Sequence, residues 1–242
     1  MHDTTEQNLQ YIQQLRTGRQ QRCDQYLGIA RDLFKPILDA DANWLIPLTQ
    51  EFGRLDLQIA TAFYLGNESE QHTANQLVCR APMPEVAGLR FGIFNTSIMM
   101  HHLVKFEHLM TDQAKARCEE MVCEGCHNNA GMQATDYQFH GYNDNMPAMA
   151  VETLVLAGER FGEEAWIQMG LWKLVRLAEM LSRCGLISEY NSPNYLPDTI
   201  HHLMTLYKYT QNEQVREHAG KIVKRLWADL ASHWHPAARC PA

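Results

Sequence analysis

The sequence predicts an all-α protein. Apolar residues recur at spacings of three and four through most of its length. Nowhere do β-branched residues alternate with polar ones over the length of a strand, and Gly or Pro punctuates the periodic stretches at helix-length intervals. At 242 residues, 45% hydrophobic and 20% charged, the chain is large enough to bury one substantial core and ordinary in composition for a globular domain.

Taken in order, residues 6–34 carry Leu9, Ile12, Leu15, Tyr26, Ile29 and Leu33 in helical register, and residues 42–65 repeat the pattern from Trp44 to Phe63. Residues 79–88, with Pro82 and Pro84, read as a loop. A long helix is expected over 89–110, with Gly92 a candidate break, and another over 113–128. Residues 148–161 form a helix that Gly162 ends, and 163–183 the next, stopped near Gly185. Residues 196–210 and 214–234 make the last pair. The helices come in pairs, joined alternately by short turns and by longer, polar, Pro-containing loops. Hairpins of this kind arrange themselves in a ring or solenoid, one set of helices lining the centre and the other covering it. No strict repeat is visible in the sequence, so the expectation is a single α/α-toroid domain over residues 1–242, its longer loops at the open end of the cavity.

The formal net charge is -7 and Lys and Arg do not cluster, which argues against nucleic acid as a partner. The N-terminus lacks the pattern of a signal peptide, and no apolar run approaches the roughly 20 residues that span a bilayer. Seven irregularly spaced cysteines in a chain of this size read as reduced thiols, so a cytoplasmic protein with no membrane partner is expected.

Two polar loops stand out. The first runs Tyr137-Gln138-Phe139-His140-Gly141-Tyr142-Asn143-Asp144-Asn145-Met146-Pro147, the second Ser188-Glu189-Tyr190-Asn191-Ser192-Pro193-Asn194-Tyr195. Each leads into an apolar helix, where Asn, Ser and Pro are expected caps; Asn145 and Ser192 are the candidates, with Pro193 opening its helix. Each loop nevertheless holds more polar chemistry than a turn requires. Tyr190 or Tyr195 can present a phenol able to remove and return a proton. His140 and Asn143 can donate hydrogen bonds to a substrate carboxylate, which acidifies its α-proton as β-elimination requires. Tyr142, Asp144, Glu189 and Asn191 are the further candidates for substrate binding.

The words Tyr142-Asn143-Asp144-Asn145-Met146-Pro147 and Glu189-Tyr190-Asn191-Ser192-Pro193 resemble those of a set of bacterial and fungal toroid proteins of unassigned activity. There the second motif usually ends Ser-Pro-Thr-Tyr; here Asn194 replaces the Thr. Through its architecture that set is similar to the alginate lyase and heparinase II/III-like polysaccharide lyases. The resemblance covers roughly the C-terminal half. It implies a carbohydrate-active enzyme without a cofactor, in which Asn143 and His140 neutralise a uronate carboxyl group while Tyr190 or Tyr195 serves as base. Such relatives continue past His233-Trp234-His235-Pro236, so the shorter end here is read as a C-terminal truncation that leaves the ring incomplete and its seam open to a homodimer partner.

Other chemistries are weighed against that reading. An inverting glycoside hydrolase on the same toroid would use Asp144 and Glu189 as its carboxylate pair. A non-catalytic binding or degenerate toroid is the third possibility, and a hydratase or dehydratase of small alcohols a fourth. Cys123-Glu124-Gly125-Cys126-His127 spells a haem-attachment pattern, and with Cys118 it has zinc-ligand types; without an export signal or a second Cys pair, unliganded thiols near a helix end are expected. His101-His102 and His201-His202 sit along helices, where core packing is expected, although two of them can meet across the ring. Met99, Met100, Met110 and Met121 read as core filler, and Trp166, Trp172, Trp227 and Trp234 mostly as packing, with a sugar-stacking role open for one or two.

Overall fold

The computed structural model of the protein describes residues 4–46, 54–81, 89–128, 143–190, 192–235 and 240–241. Among these, nine α-helices account for most of the chain: α1 (Thr4–Phe34), α2 (Arg54–Tyr64), α3 (Glu68–Arg80), α4 (Leu89–Phe106), α5 (Asp112–Asn128), α6 (Asn145–Phe161), α7 (Glu164–Cys184), α8 (Tyr195–Tyr209) and α9 (Glu213–Ser232). Short 3₁₀ turns follow α1 and α4, at Lys35–Ile37 and Glu107–Leu109. The one β ladder pairs β1 (Trp234–His235) with β2 (Cys240–Pro241) in antiparallel register. The protein is all-helical in class, as the periodicity predicts. No helix among the described residues is long and apolar enough to cross a membrane.

Helices α2 to α9 pair as four successive hairpins, α2/α3, α4/α5, α6/α7 and α8/α9. Neighbouring hairpins stack so that α2, α4, α6 and α8 form one layer and α3, α5, α7 and α9 run along the other, with α1 against α2. The core lies between the layers. Helix α6 is its centre: every residue from Pro147 to Gly158 is buried, and the sequence there is apolar but for Glu152 and Thr153. At Gly158 a side-chain carbon would fall 2.7 Å from Ile167 Cγ1 and 2.9 Å from the Glu163 carbonyl, so this glycine is what lets α6 and α7 approach.

Three expectations need correction. The helical periodicity over 42–65 does not give one helix. Residues 38–46 form a tight turn in which the Asp39 carboxylate accepts from the backbone N–H of Asp41 and Asn43 at 2.9 and 2.8 Å, Ala42 takes φ 61°, and Leu38 bridges to Trp44. Buried Asp56 then ties that turn to the helices, accepting from Trp44 Nε1 at 2.9 Å and from Arg80 Nε at 3.0 Å. Helix α3 went unread because its exposed face is nearly all polar. Its start is nonetheless written in a capping box, Asn67 accepting from Glu70 N at 3.1 Å and Glu70 from Asn67 N at 2.9 Å, and Ala74, Leu77 and Val78 supply its buried stripe. Finally, α6 begins at Asn145 with Asp144 before it, and α8 at Tyr195 with Pro193 left outside. Asn145 is therefore the first helical residue and not a cap, while Ser192 Oγ does accept from Tyr195 N at 3.0 Å.

The two polar loops meet in a reciprocal joint. Fully buried Asp144 accepts through Oδ2 from Ser188 N, Ser188 Oγ and Glu189 N at 2.7, 2.5 and 3.2 Å. Glu189 answers through Oε2, accepting from the backbone N–H of Asp144 and Asn145 at 2.9 and 3.0 Å, the first amides of α6. A carboxylate at a helix N-terminus is favoured both by those amides and by the helix dipole. Asp144→Ala removes the charged acceptor of two part-buried backbone donors and of the Ser188 hydroxyl, and is expected to cost about 1–3 kcal/mol. Urea unfolding measures it, and an unchanged midpoint would show the joint to be dispensable.

Candidate functional site

A cleft of about 500 Å³ opens between α4, α6 and α8, its wall completed by Arg54 and Gln58 of α2. Helix α8 supplies Tyr195, Asp198, His201 and His202, spaced so that one face of the helix is presented. Helix α6 supplies Asn145 and Met149, and α4 supplies Phe94, Ser97, Ile98 and His101. Clefts of this size suit small molecules or a few units of a polymer.

The floor is electrostatically unusual. Glu152, only 1% exposed and one helical step beyond Met149, engages His202 Nδ1, while Asp198 Oδ1 lies 3.4 Å from His202 Nε2. With a carboxylate on each ring nitrogen, both nitrogens must donate, so His202 is an imidazolium. Burial alone would disfavour that charge; Glu152 and Asp198 outweigh it and raise the pKa to about 9. Burial likewise works against the Glu152 and Asp198 carboxylates, and His202 more than compensates, so both are held below their usual range. Asp198 also accepts from the Asn145 side chain. His202 balances one of the two carboxylate charges, and the Lys105 ammonium is the next cation within range of Glu152.

His101, His102 and His201 are instead held toward the neutral form. The rings of His101 and His201 stack with centroids 4.9 Å apart, so two histidines from distant segments do meet, face to face. Burial lowers His101 to about 4 despite the nearby Glu152, with Lys105 and the other histidines pushing the same way; His201 is lowered for the same leading reason. Behind them His102 is fully buried, its Nε2 2.9 Å from the Thr61 hydroxyl and its pKa driven by burial to about 3. Stacked rings do not converge their nitrogens on one ion. Among the described residues no group of three or more His, Cys, Asp or Glu is arranged to hold a metal. Cys118 and Cys126 are buried, with their thiol pKa values raised by burial; Cys118 contacts Met99 Sδ and His127 packs edge-on against Trp166.

The residues singled out in the sequence divide into separate places. Tyr195, 49% exposed, lines the cleft. Tyr190 does not join it: its ring packs against His233 at 5.5 Å, over a small apolar crevice with Ile187, Leu226 and Leu230. Asp144 and Glu189 form the joint between the loops, each committed to backbone amides, and Asn143 turns onto Met146, accepting from its N–H at 3.3 Å. His140, Tyr142 and Asn191 lie outside the described residues. What the sequence reading missed is the floor itself. Two signals were present: Glu152, the one charged residue in the otherwise apolar stretch from Pro147 to Gly158, and the run Tyr195-x-x-Asp198-x-x-His201-His202, which falls on one helical face.

Residues 91–242 match a family described as a domain of unknown function (DUF8769), and the chain belongs to that family. Neither the curated proteins nor the solved structures contain a match. All the cleft residues of α4, α6 and α8 fall inside the matched span, whereas Arg54 and Gln58 precede it.

The histidines predict a stability profile with two limbs. His202, raised to about 9, contributes stability that is full below its ordinary value of 6.5 and is lost as pH rises through 9. His101, lowered to about 4, contributes stability that is full above 6.5 and is lost as pH falls toward 4. Thermal unfolding across pH should therefore peak near neutrality. His202→Gln should flatten the alkaline limb and His101→Asn part of the acid limb; unchanged profiles would refute the assignment.

Proposed function

We propose that the α4/α6/α8 cleft is the active site of an acid–base enzyme acting on a carbohydrate or a similarly polar, carboxylate-bearing substrate. Lyase-type β-elimination is the reaction it fits best. The observation that carries this reading is the convergence in one cleft of a solvent-accessible phenol, Tyr195, with the exposed and neutral imidazole of His201, above a fixed imidazolium. In such a reaction a base takes the proton α to the carboxylate, and an acid returns one to the leaving glycosidic oxygen. In this proposal Tyr195 passes its phenolic proton to the neutral imidazole of His201 and, as phenolate, takes the α-proton; the His201 imidazolium then gives its proton to the leaving glycosidic oxygen, which returns both groups to their starting states. Arg54, its guanidinium carbon 4.5 Å from the Phe94 ring centroid, places a positive charge at the α2 end of the cleft, complementary to a carboxylate. The row of α-hairpins, with the cleft on the α2/α4/α6/α8 layer, supports descent from the incomplete α/α toroid expected from the sequence.

The hydrolase alternative gains nothing from the geometry. Its two carboxylates, Asp144 and Glu189, are engaged with each other's backbone, and general acid–base work would require one of them to leave the joint.

Incubation with a panel of uronate polymers, followed by ultraviolet absorbance of the conjugated product, tests the reading. Tyr195→Phe should lower turnover by about 10²–10⁴-fold, the range for losing a positioned acid–base group. Tyr190→Phe should leave turnover within a few-fold of wild type, because that ring packs outside the cleft. Absorbance that survives Tyr195→Phe would remove this residue from the role of base. Folded protein inactive on every polymer would sink the lyase reading.

A further inference from the structure

We propose that the floor of the cleft is a polyol-recognition site, in which Asp198 accepts hydrogen bonds from neighbouring hydroxyl groups of the ligand and Glu152, acting through His202, holds it in place. This deepens the reading of the cleft as a carbohydrate site and rests on it for the choice of ligand class.

The argument is one of unsatisfied acceptors. Asp198 is the floor's exposed carboxylate, its side chain 35% accessible, and it lines the cleft. A carboxylate has roughly four lone-pair sites. His202 and Asn145 occupy two of those on Asp198, leaving the remainder turned to the cleft. On the far side of His202 a further acceptor, Glu152 Oε1, is buried without a hydrogen-bond partner. His202 itself cannot accept, since both its N–H groups are committed. A carboxylate with free lone pairs facing a cleft is complemented by donors. A ligand's own carboxylate is repelled from this end and directed toward Arg54. The hydroxyls of a sugar ring therefore face Asp198, and Glu152 is a positioning residue: it fixes the ring of His202 and its proton, and so fixes Asp198.

Binding is read without turnover by following the labelled ring signals of His201 and His202 in NMR titrations with three probes. Methyl galactopyranosiduronate and methyl galactopyranoside both carry free hydroxyls and should both shift the signals. The per-O-methylated uronate keeps ring and carboxylate but donates nothing, and should bind at least tenfold more weakly. Asp198→Asn should weaken the two hydroxyl-bearing probes at least tenfold. Glu152→Gln should weaken them as well, and His202 should then lose its ring proton at lower pH than in wild type, which a loss of packing alone would not produce. Equal response to the per-O-methylated probe, full binding by Asp198→Asn, or no response to either hydroxyl-bearing probe would overturn the proposal. A methyl glycoside of an amino sugar that binds while both hydroxyl-bearing probes fail would reassign the floor to an ammonium. Hydroxyl-dependent binding by a protein that yields no elimination product would leave this inference standing and remove only the lyase chemistry.

Discussion

Glu152 sits in the middle of the most deeply buried helix of the protein, and the α6/α8 interface is built around the need to keep it charged. An ionised carboxylate taken out of water is costly unless it is paired and hydrogen-bonded. His202 from α8 meets that requirement with its Nδ1, and Asp198, one helical turn earlier, secures the ring's other nitrogen. The register between the two helices follows from this. If α8 rotated by one residue, His202 would leave Glu152 and an uncompensated charge would remain in the core. An apolar pair of similar volume would stabilise the interface as well or better. Retaining an ionic chain that runs from the core to an open cleft makes physical sense where the cleft end of the chain has work to do.

The loop joint serves the same geometry from outside. Asp144 and Glu189 exchange acceptors across the two loops, Glu189 at the start of α6 and Asp144 on residues 188–189 of the loop that leads to α8. The joint thus holds the N-terminus of α6 against that loop, with Asn145 opposite Asp198 and Tyr195 at the cleft's edge. Polar density in the loops thus has a mechanical explanation. Carboxylates aimed at backbone N–H groups are short, directional and cooperative with the helix dipole, which suits them to holding two chain segments in register.

Helices and their pairing were legible because the apolar stripes of α4 to α9 keep a 3.6-residue period and because Gly162 and Gly185 mark their ends. The stretch 38–46 was not, since Trp44 and Leu45 match the helical period by coincidence while Asp39 and Asn43 hold a turn whose hydrogen bonds outweigh it. For the site, Tyr195 was legible as a phenol at a helix start. Tyr190, five residues earlier, looked equivalent, and only tertiary packing against His233 separates the two. Asp198, His201 and His202 carry an i, i+3, i+4 signal that points to one face, but the sequence alone does not say that this face meets Glu152 and His101.

Where the chemistry falls relative to the family match sharpens the division of roles. The phenol, the histidines and both floor carboxylates lie within residues 91–242, so the groups proposed for acid–base work and for hydroxyl contacts come with the part of the chain that the family defines. Arg54 lies on α2, outside that span, and is fixed over Phe94 of α4 inside it. The cleft is therefore composite: one end is intrinsic to the family's helices, and the end suited to an oxyanion depends on what packs against α4.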